Sequence, residues 1–169
     1  MPLTPDDVLD FLELNQMDAR TYSHPPVHTV AESQALRGDI PGLHTKNLFL
    51  RDGKKTYFLV SIEENTPVDL KALRGKIGAR GGLSFGSAEA LYEHLGVLPG
   101  AVSLLAVLND KDRHVTVALD EALLEAPFVN CHPLTNEKTT SLTPERLLTF
   151  LELTGHTPLR ISMAEDPQA

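Results

Sequence analysis

Two apolar segments separated by a tight-turn sequence place the strongest constraint on the fold. Residues 46–51 and 56–62 are rich in residues that favour strands, and Asp52-Gly53-Lys54-Lys55 lies between them. Asp-Gly tolerates the positive φ of a tight turn, so the pattern predicts a β-hairpin. Because a purely parallel sheet contains no hairpin, the sheet must be at least partly antiparallel.

Short helical and strand patterns alternate through the rest of the chain. Thr4, Ser87 and Thr143 are typical N-caps, and Gly96 and Gly155 are typical helix ends. We expect further helices at 29–37, 68–74 and 121–125, strands at 102–108, 115–119, 128–132 and 159–163, and a frayed tail at 164–169. Residues 1–169 are therefore predicted to form one α/β (α+β) domain, with helices around a mixed, curled, partly barrel-like sheet.

The composition limits the class of protein. The chain has 169 residues, of which 41% are hydrophobic and 22% charged, as in an ordinary globular domain. No apolar run approaches the roughly 20 residues that cross a bilayer, and the acidic start is unlike a signal peptide. Cys131 is the single cysteine, so an internal disulfide is excluded and a reducing compartment is favoured. We expect a cytoplasmic protein without a membrane partner.

One segment is basic although the net charge is -8. The overall charge argues against a protein that coats nucleic acid, because non-specific affinity comes from neutralised phosphates. The basic side chains in the segment, interleaved with glycines, are Lys71, Arg74, Lys76 and Arg80. Such a segment suits a phosphate backbone but lacks the P-loop pattern, and a solvated helix end explains it nearly as well.

Metal ligands and covalent nucleophiles are not indicated. His24 and His28 are four residues apart, but the prolines between them prevent the shared helical face of a zinc motif. Cys131 and His132 are neighbours on a predicted strand, where successive side chains point to opposite faces. We predict a buried Cys131, no metal and no cofactor.

Three further segments carry polar groups beside apolar strands. Lys46 opens a strand and is either an anion anchor or a lysine whose stem lies along apolar surface. The glycine-bracketed loop 96–103 either presents N–H groups to an oxyanion or simply connects two elements. His132-Pro133-Leu134-Thr135-Asn136 contains either specific hydrogen-bond donors or turn-forming residues. Spacing alone does not decide between these interpretations.

The order of these segments along the chain resembles a known family. The segments are Tyr22-Ser23-His24-Pro25-Pro26-Val27-His28, Lys46-Asn47-Leu48-Phe49-Leu50, Gly96-Val97-Leu98-Pro99-Gly100, His132-Pro133-Leu134-Thr135-Asn136 and Gly155-His156-Thr157-Pro158. Together they are similar to the YbaK/ProRS-insertion family of aminoacyl-tRNA editing domains, and most similar to its free-standing ProXp-ala branch. The resemblance spans about residues 22–163.

The resemblance implies roles for particular residues. Lys46 matches the lysine that holds the 3′-terminal adenosine or its phosphate, and Asn47 and His132 match residues of the aminoacyl pocket. Gly100 and Ser103 belong to the loop that matches the family's Gly-x-x-x-Pro element, in which Leu104 replaces the proline. We therefore expect catalytic roles for Lys46, Gly100, Ser103 and His132, substrate contacts from Thr45, Asn47, Ala101, Thr135 and Asn136, and tRNA contacts from Lys71, Arg74, Lys76 and Arg80.

The function implied by the resemblance is trans-editing of mischarged tRNA(Pro), with Ala-tRNA(Pro) as the substrate. The ester is already activated, so positioned water and an oxyanion site suffice without metal or nucleophile. The implied partners are the tRNA and, transiently, prolyl-tRNA synthetase or an elongation factor. Alternatives are a deacylase for Cys- or Ser-tRNA, a non-catalytic nucleic-acid-binding module, and a small-molecule-binding domain.

Overall fold

The computed structural model describes residues 2–25 and 40–163. The helix predicted at 29–37 and the tail predicted at 164–169 lie outside these residues, so neither prediction is tested.

Local signals position the helices. They are α1 (Pro5–Leu14), α2 (Leu70–Ile77), α3 (Ala88–Leu95), α4 (Glu121–Leu124) and α5 (Pro144–Thr154). Thr4 and Asp7 form a capping box at the start of α1, and the Thr143 hydroxyl caps α5. Gly96 and Gly155 end their helices with φ of 67° and 83°, a conformation that favours glycine. The helix ends predicted at Gly96 and Gly155 are confirmed, whereas the helix predicted at 68–74 spans Leu70–Ile77 and ends at Gly78.

The sheet mixes parallel and antiparallel pairs, as predicted. Its strands are β1 (Arg20–Ser23), β2 (Leu43–Arg51), β3 (Tyr57–Glu63), β4 (Ser84–Phe85), β5 (Val115–Asp120), β6 (Val129–Cys131), β7 (Lys138–Leu142) and β8 (Leu159–Ile161). Their order is β1-β7-β6-β2-β3-β5-β8, and β4 also pairs with β2. The pairs β2–β6, β3–β5 and β5–β8 are parallel, and the others are antiparallel.

The predicted hairpin is formed by β2 and β3, and a buried carboxylate organises its turn. Asp52 accepts hydrogen bonds from the backbone N–H groups of Lys54 and Thr56 and, across the fold, of Arg80. The Arg80 bond, helped by the other two, holds the pKa of Asp52 below its ordinary value although burial opposes this. The Gly53 N–H donates to the Arg80 carbonyl, so the end of the basic segment is attached to the hairpin turn.

The strand predicted at 102–108 is wrong. Leu104–Asn109 is a 3₁₀-helix, preceded by a shorter one at Pro99–Ala101. The Ser103 hydroxyl accepts the Leu105 N–H and starts the helix, and the next four residues are fully buried. A short apolar run suits a buried helix as well as a strand, so its hydrophobicity could not distinguish between the two structures. As a result β5 has no hairpin partner and pairs in parallel with β3 and β8.

Two apolar cores cover the two faces of the sheet at β2. Phe49 and Leu59 belong to the larger core, which also contains residues of α1, α3, α5 and the 3₁₀-helix Leu104–Asn109. Leu50 and Ile62 belong to the smaller core beside α2 and β8. Since alternate strand residues point to opposite faces, odd-numbered β2 residues face the larger core and even-numbered ones the smaller. This alternation decides where the predicted site residues point.

No helix in the described part of the chain is long and apolar enough to cross a membrane.

Candidate functional site

The middle of β2 has an open edge. One edge of the strand pairs with β3 from Thr45 to Arg51. On the other edge, β6 pairs only with residues 43–44 and β4 only with residues 50–51. The Phe49 carbonyl accepts the Gly86 N–H next to β4, so residues 45–48 have no ladder partner there among the described strands, and this break in the sheet carries the predicted Lys46 and Asn47. We call it the β2 gap.

On the larger-core side of the gap, two facing residues have buried polar atoms without hydrogen bonds. Asn47 lies directly opposite Ser61 in the β2–β3 register. The Asn47 amide oxygen and the Ser61 hydroxyl are both buried, and neither has a partner among the described residues. Buried polar atoms are normally hydrogen-bonded, so such a pair is costly to the fold and indicates a site that binds a polar group.

A small cavity adjoins Asn47. Its volume is about 280 Å³, and it lies between the start of α3, the Pro99–Ala101 turn and β4. The lining residues are Asn47, Phe49, Phe85, Gly86, Ala88, Leu91, Pro99 and Val102. Gly86 leaves no room for a larger residue, because a Cβ there would lie 2.4 Å from the Phe49 ring. The cavity is mostly apolar with one amide, which suits a small group that carries a polar atom.

Lys46 lies on the opposite face of β2 from Asn47. Its cross-strand neighbour is Ile62 of the smaller core, and its side chain is half-buried. Within residues 2–25 and 40–163 its ammonium group forms neither an ion pair nor a hydrogen bond. A half-buried, uncompensated cation at a sheet break is suited to anion binding. Lys46 and Asn47 therefore lie on the two faces of one strand rather than as neighbours in one pocket.

The glycine loop approaches the segment that follows β6. A Cβ added to Gly100 would lie 3.8 Å from the Asn136 amide nitrogen, so these two predicted residues are close. The Ala101 N–H donates to the Leu98 carbonyl and is already used within the turn. Ser103 is fully buried and caps the following 3₁₀-helix, so its hydroxyl has a structural role that requires no substrate contact. A catalytic role for Ser103 stays a prediction.

Leu104 occupies the first position of that 3₁₀-helix and is fully buried. The first helical position is one that proline also favours, because its missing N–H has no acceptor there. Leucine in place of proline is therefore compatible with this loop geometry, and its side chain fills the core.

His132 is held in a defined orientation. Its Nδ1–H donates to the Lys138 carbonyl at 2.8 Å, which places a proton on Nδ1 and fixes the ring orientation. Its ring centroid lies 6.4 Å from that of His24, whose Nε2 contacts the Thr139 hydroxyl at 2.9 Å. His24 was weighed in the sequence only as a metal ligand with His28, which lies outside the described residues. The structure places His24 beside His132 instead.

The remaining predicted residues have structural contacts. The Thr45 hydroxyl donates to the Asn130 carbonyl and joins β2 to β6. The Thr135 hydroxyl accepts the Glu137 N–H in the turn after β6. Cys131 is buried as predicted, and burial raises the pKa of its thiol to about 12, so the thiolate nucleophile is not available near neutral pH.

The predicted tRNA-binding residues lie on α2 and the loop after it. Lys71, Arg74, Lys76 and Arg80 are all exposed. Lys76 donates to the Ser162 carbonyl at 2.7 Å, and Arg74 reaches the Gly81 carbonyl at 3.5 Å. The loop leads directly to β4 and to the exposed ring of Phe85, which lines the cavity. The basic segment thus leads along the chain to the β2 gap.

The family follows from comparison with known proteins. Residues 24–150 match the family model described as the aminoacyl-tRNA editing domain, and the chain belongs to that family. Among its relatives, the prolyl-tRNA synthetase associated domain-containing protein 1 of Danio rerio is 38% identical over 155 residues, covering 90% of this chain and 84% of that protein. The prolyl-tRNA editing protein ProX of Acetoanaerobium sticklandii is 36% identical over 150 residues, covering 88% and 89%.

A solved structure shares the fold. It is described, provisionally, as a trans-editing enzyme for prolyl tRNA synthetase, and it superposes with a TM-score of 0.68 over 95% of this chain and 98% of that one. Its sequence identity is 21%, so the likeness concerns the fold. The resemblance inferred from the sequence is confirmed.

Sequence reasoning missed Ser61 and Phe85. Ser61 is the one hydroxyl-bearing residue within the apolar run Phe58-Leu59-Val60-Ser61-Ile62, and a polar residue inside a buried strand is a usable signal. Phe85 gave no signal, because its 64% exposure depends on the two-residue strand β4.

Proposed function

We propose that this protein is an aminoacyl-tRNA deacylase that removes alanine from mischarged tRNA(Pro). The observation that carries the proposal is the unpaired Asn47 and Ser61 atoms beside a small cavity at the β2 gap. Membership of the editing-domain family and the name of the ProX relative support the same reaction class.

The binding step uses both faces of β2. An alanyl group carries an ammonium with three donors, and the Asn47 amide oxygen is an acceptor without a partner among the described residues. The Lys46 ammonium on the other face attracts the phosphate or hydroxyls of the terminal nucleotide. A substrate end lying across the open edge therefore supplies partners to an acceptor and a cation that have none within residues 2–25 and 40–163.

The chemical step requires little from the protein. Water attacks the ester carbonyl, the bond from that carbon to the ribose oxygen breaks, and the ribose oxygen leaves with a proton. The products are alanine and free tRNA. The backbone N–H groups of Gly100, Val102 and Ser103 are the candidates for stabilising the oxyanion, because Pro99 has none and that of Ala101 donates to the Leu98 carbonyl. Gly100 has no side chain and so leaves space for the ester. His132, whose Nδ1–H donates to the Lys138 carbonyl, is the candidate side chain for ordering the loop or the water.

Selectivity is expected to be steric. The cavity accommodates a methyl group beside Phe49 and Gly86, whereas the ring of proline is larger and its secondary ammonium offers fewer donors. Prolyl-tRNA(Pro), the correct product, is thereby spared.

The test is a deacylation panel on one tRNA. Purified protein is incubated with tRNA(Pro) charged with alanine, proline, cysteine or serine, and loss of the amino acid is followed over time. Rapid hydrolysis of the alanyl ester with sparing of the prolyl ester is expected. Preference for the cysteinyl or seryl ester would revise the substrate. Salt-sensitive tRNA binding with no hydrolysis of any ester would replace the proposal with a binding module.

Partners follow from the same proposal. The tRNA acceptor end is the substrate, and exposed Lys71 and Arg80 lie on the segment expected to contact its phosphates. Transient contact with prolyl-tRNA synthetase or an elongation factor is proposed on the reaction class, and co-elution with either protein in the presence of tRNA would test it.

A further inference from the structure

Three potential metal ligands converge near Tyr57, whose ring packs against that of His94 and stacks on that of Phe49 in the cavity lining. They are His94 in the last turn of α3, Asp110 at the end of the 3₁₀-helix Leu104–Asn109, and His114 just before β5. One ligand atom from each lies within 4.8 Å of the other two. The sequence offered no hint, because 20 residues separate the two histidines and they share no element.

Hydrogen bonds fix the carboxylate and leave it one free position. Asp110 Oδ1 accepts the His114 N–H at 3.1 Å, and Oδ2 accepts both the Val115 N–H at 2.8 Å and a bond from His156 Nε2 at 2.9 Å. A carboxylate has about four acceptor positions, so one remains, on Oδ1. Metal-binding carboxylates are commonly oriented by such surrounding hydrogen bonds.

The distance between the two imidazole rings is close to that expected for two rings that bind one ion. Their centroids are 5.8 Å apart and their planes are at 78°. Two imidazoles on a tetrahedral zinc, with bonds of about 2.0–2.1 Å, hold their centroids roughly 5 Å apart. Neither ring has a hydrogen bond within the described residues, and His114 is exposed and free to turn. The C-terminal end of α3 adds a partial negative charge that favours a cation.

We infer that His94, Asp110 and His114 bind one divalent transition-metal ion such as Zn²⁺, with water in the fourth position. Nitrogen and oxygen ligands of this kind select zinc, cobalt or nickel over magnesium and calcium. The ion joins the end of α3 to the start of β5. The inference does not rest on the proposed function.

The test uses untagged protein freed of metal with a chelator. Titration with Co²⁺ should give a visible absorption band that saturates at one equivalent and is displaced by Zn²⁺. His94→Gln and His114→Gln should each weaken Co²⁺ binding at least tenfold, and the double variant should abolish it. His24→Gln, which changes a histidine elsewhere, is the matched control and should bind as the wild type does.

A second readout is the melting temperature. Zn²⁺ should raise it by several degrees in the wild type and leave the double variant unchanged, since an ion stabilises a fold to which it binds. Circular dichroism confirms that each variant is folded. Equal Co²⁺ binding by the wild type and the double variant, no saturable band at all, or loss of binding in His24→Gln instead would each overturn the inference.

Discussion

Replacing Asn47 by leucine should stabilise the fold while it removes activity. The Asn47 amide oxygen is buried without a partner in the part of the chain that the structure describes, and a buried unsatisfied polar group costs about 1–3 kcal/mol. Leucine has a similar branched shape and extends the apolar surface shared by Phe49 and the cavity. The expected gain in the free energy of unfolding is about 1 kcal/mol, the low end of that range, because the larger side chain must fit closely.

The assay is urea unfolding of the wild type and the variant, followed by deacylation of alanyl-tRNA(Pro). With an m-value of about 2 kcal/mol/M for a domain of this size, a gain of ~1 kcal/mol moves the midpoint up by roughly 0.5 M. Deacylation should fall at least tenfold, because the acceptor for the substrate ammonium is lost and a charge-assisted hydrogen bond contributes about 1.5–3 kcal/mol.

Asn130 supplies the matched comparison. Its amide oxygen is also buried without a partner, but its Nδ2 donates to the carbonyls of Pro41 at 2.9 Å and Leu43 at 3.3 Å. Asn130→Leu removes both of these side-chain hydrogen bonds and should lower the free energy of unfolding by about 2 kcal/mol. If Asn47→Leu is destabilising to a similar degree, Asn47 has a structural partner and the argument for a binding site at the gap is refuted.

Phe85→Ala should raise KM for alanyl-tRNA(Pro) about tenfold, because stacking of an unpaired base on an exposed ring contributes about 1–3 kcal/mol, and it should leave the melting temperature nearly unchanged. Phe85→Tyr should restore the wild-type KM. An unchanged KM in the alanine variant would exclude stacking there. Asp52→Asn should destabilise the fold at pH 7, because the folded-state pKa of Asp52 lies below its ordinary value of 3.8. The contribution is present above that ordinary value and is lost as pH falls through the folded-state pKa, so unfolding curves of variant and wild type should converge in acid; a difference that persists there would refute the electrostatic cause.

Much of the fold was predictable because local chemistry determines it. The caps at Thr4, Ser87 and Thr143 and the Asp-Gly turn act through hydrogen bonds and dihedral preferences within a few residues. Such signals work from sequence because they do not require knowledge of what packs against them.

The errors occurred where tertiary contacts decide the structure. The apolar run after Ser103 forms a 3₁₀-helix because the core surrounds it, and its composition suits a strand equally well. β7 was missed because its central residues are Thr139, Thr140 and Ser141, which are buried by pairing with β1 and β6 rather than by their own hydrophobicity.

The candidate site likewise has features that could be predicted from the sequence and features that depend on tertiary contacts. Lys46, Asn47, Gly100 and His132 were proposed through the resemblance, but no sequence pattern indicates that the middle of β2 has an edge without a ladder partner among the described strands. That gap depends on how far β6 and β4 extend along β2, which is a long-range property. Ser61 is a polar residue in a buried run, but only the register places it opposite Asn47.

The most direct test of the central claim is single-turnover hydrolysis of alanyl-tRNA(Pro) by the wild type, Lys46→Ala and Lys54→Ala. Lys54 is an exposed lysine in the hairpin turn at the end of β2 and serves as the control. The account predicts rapid hydrolysis by the wild type and by Lys54→Ala, with a rate about 10–100-fold lower for Lys46→Ala, as expected for one lost charge-assisted contact. Equal rates for all three proteins, or no hydrolysis by the folded wild type, would contradict a deacylase site at the β2 gap.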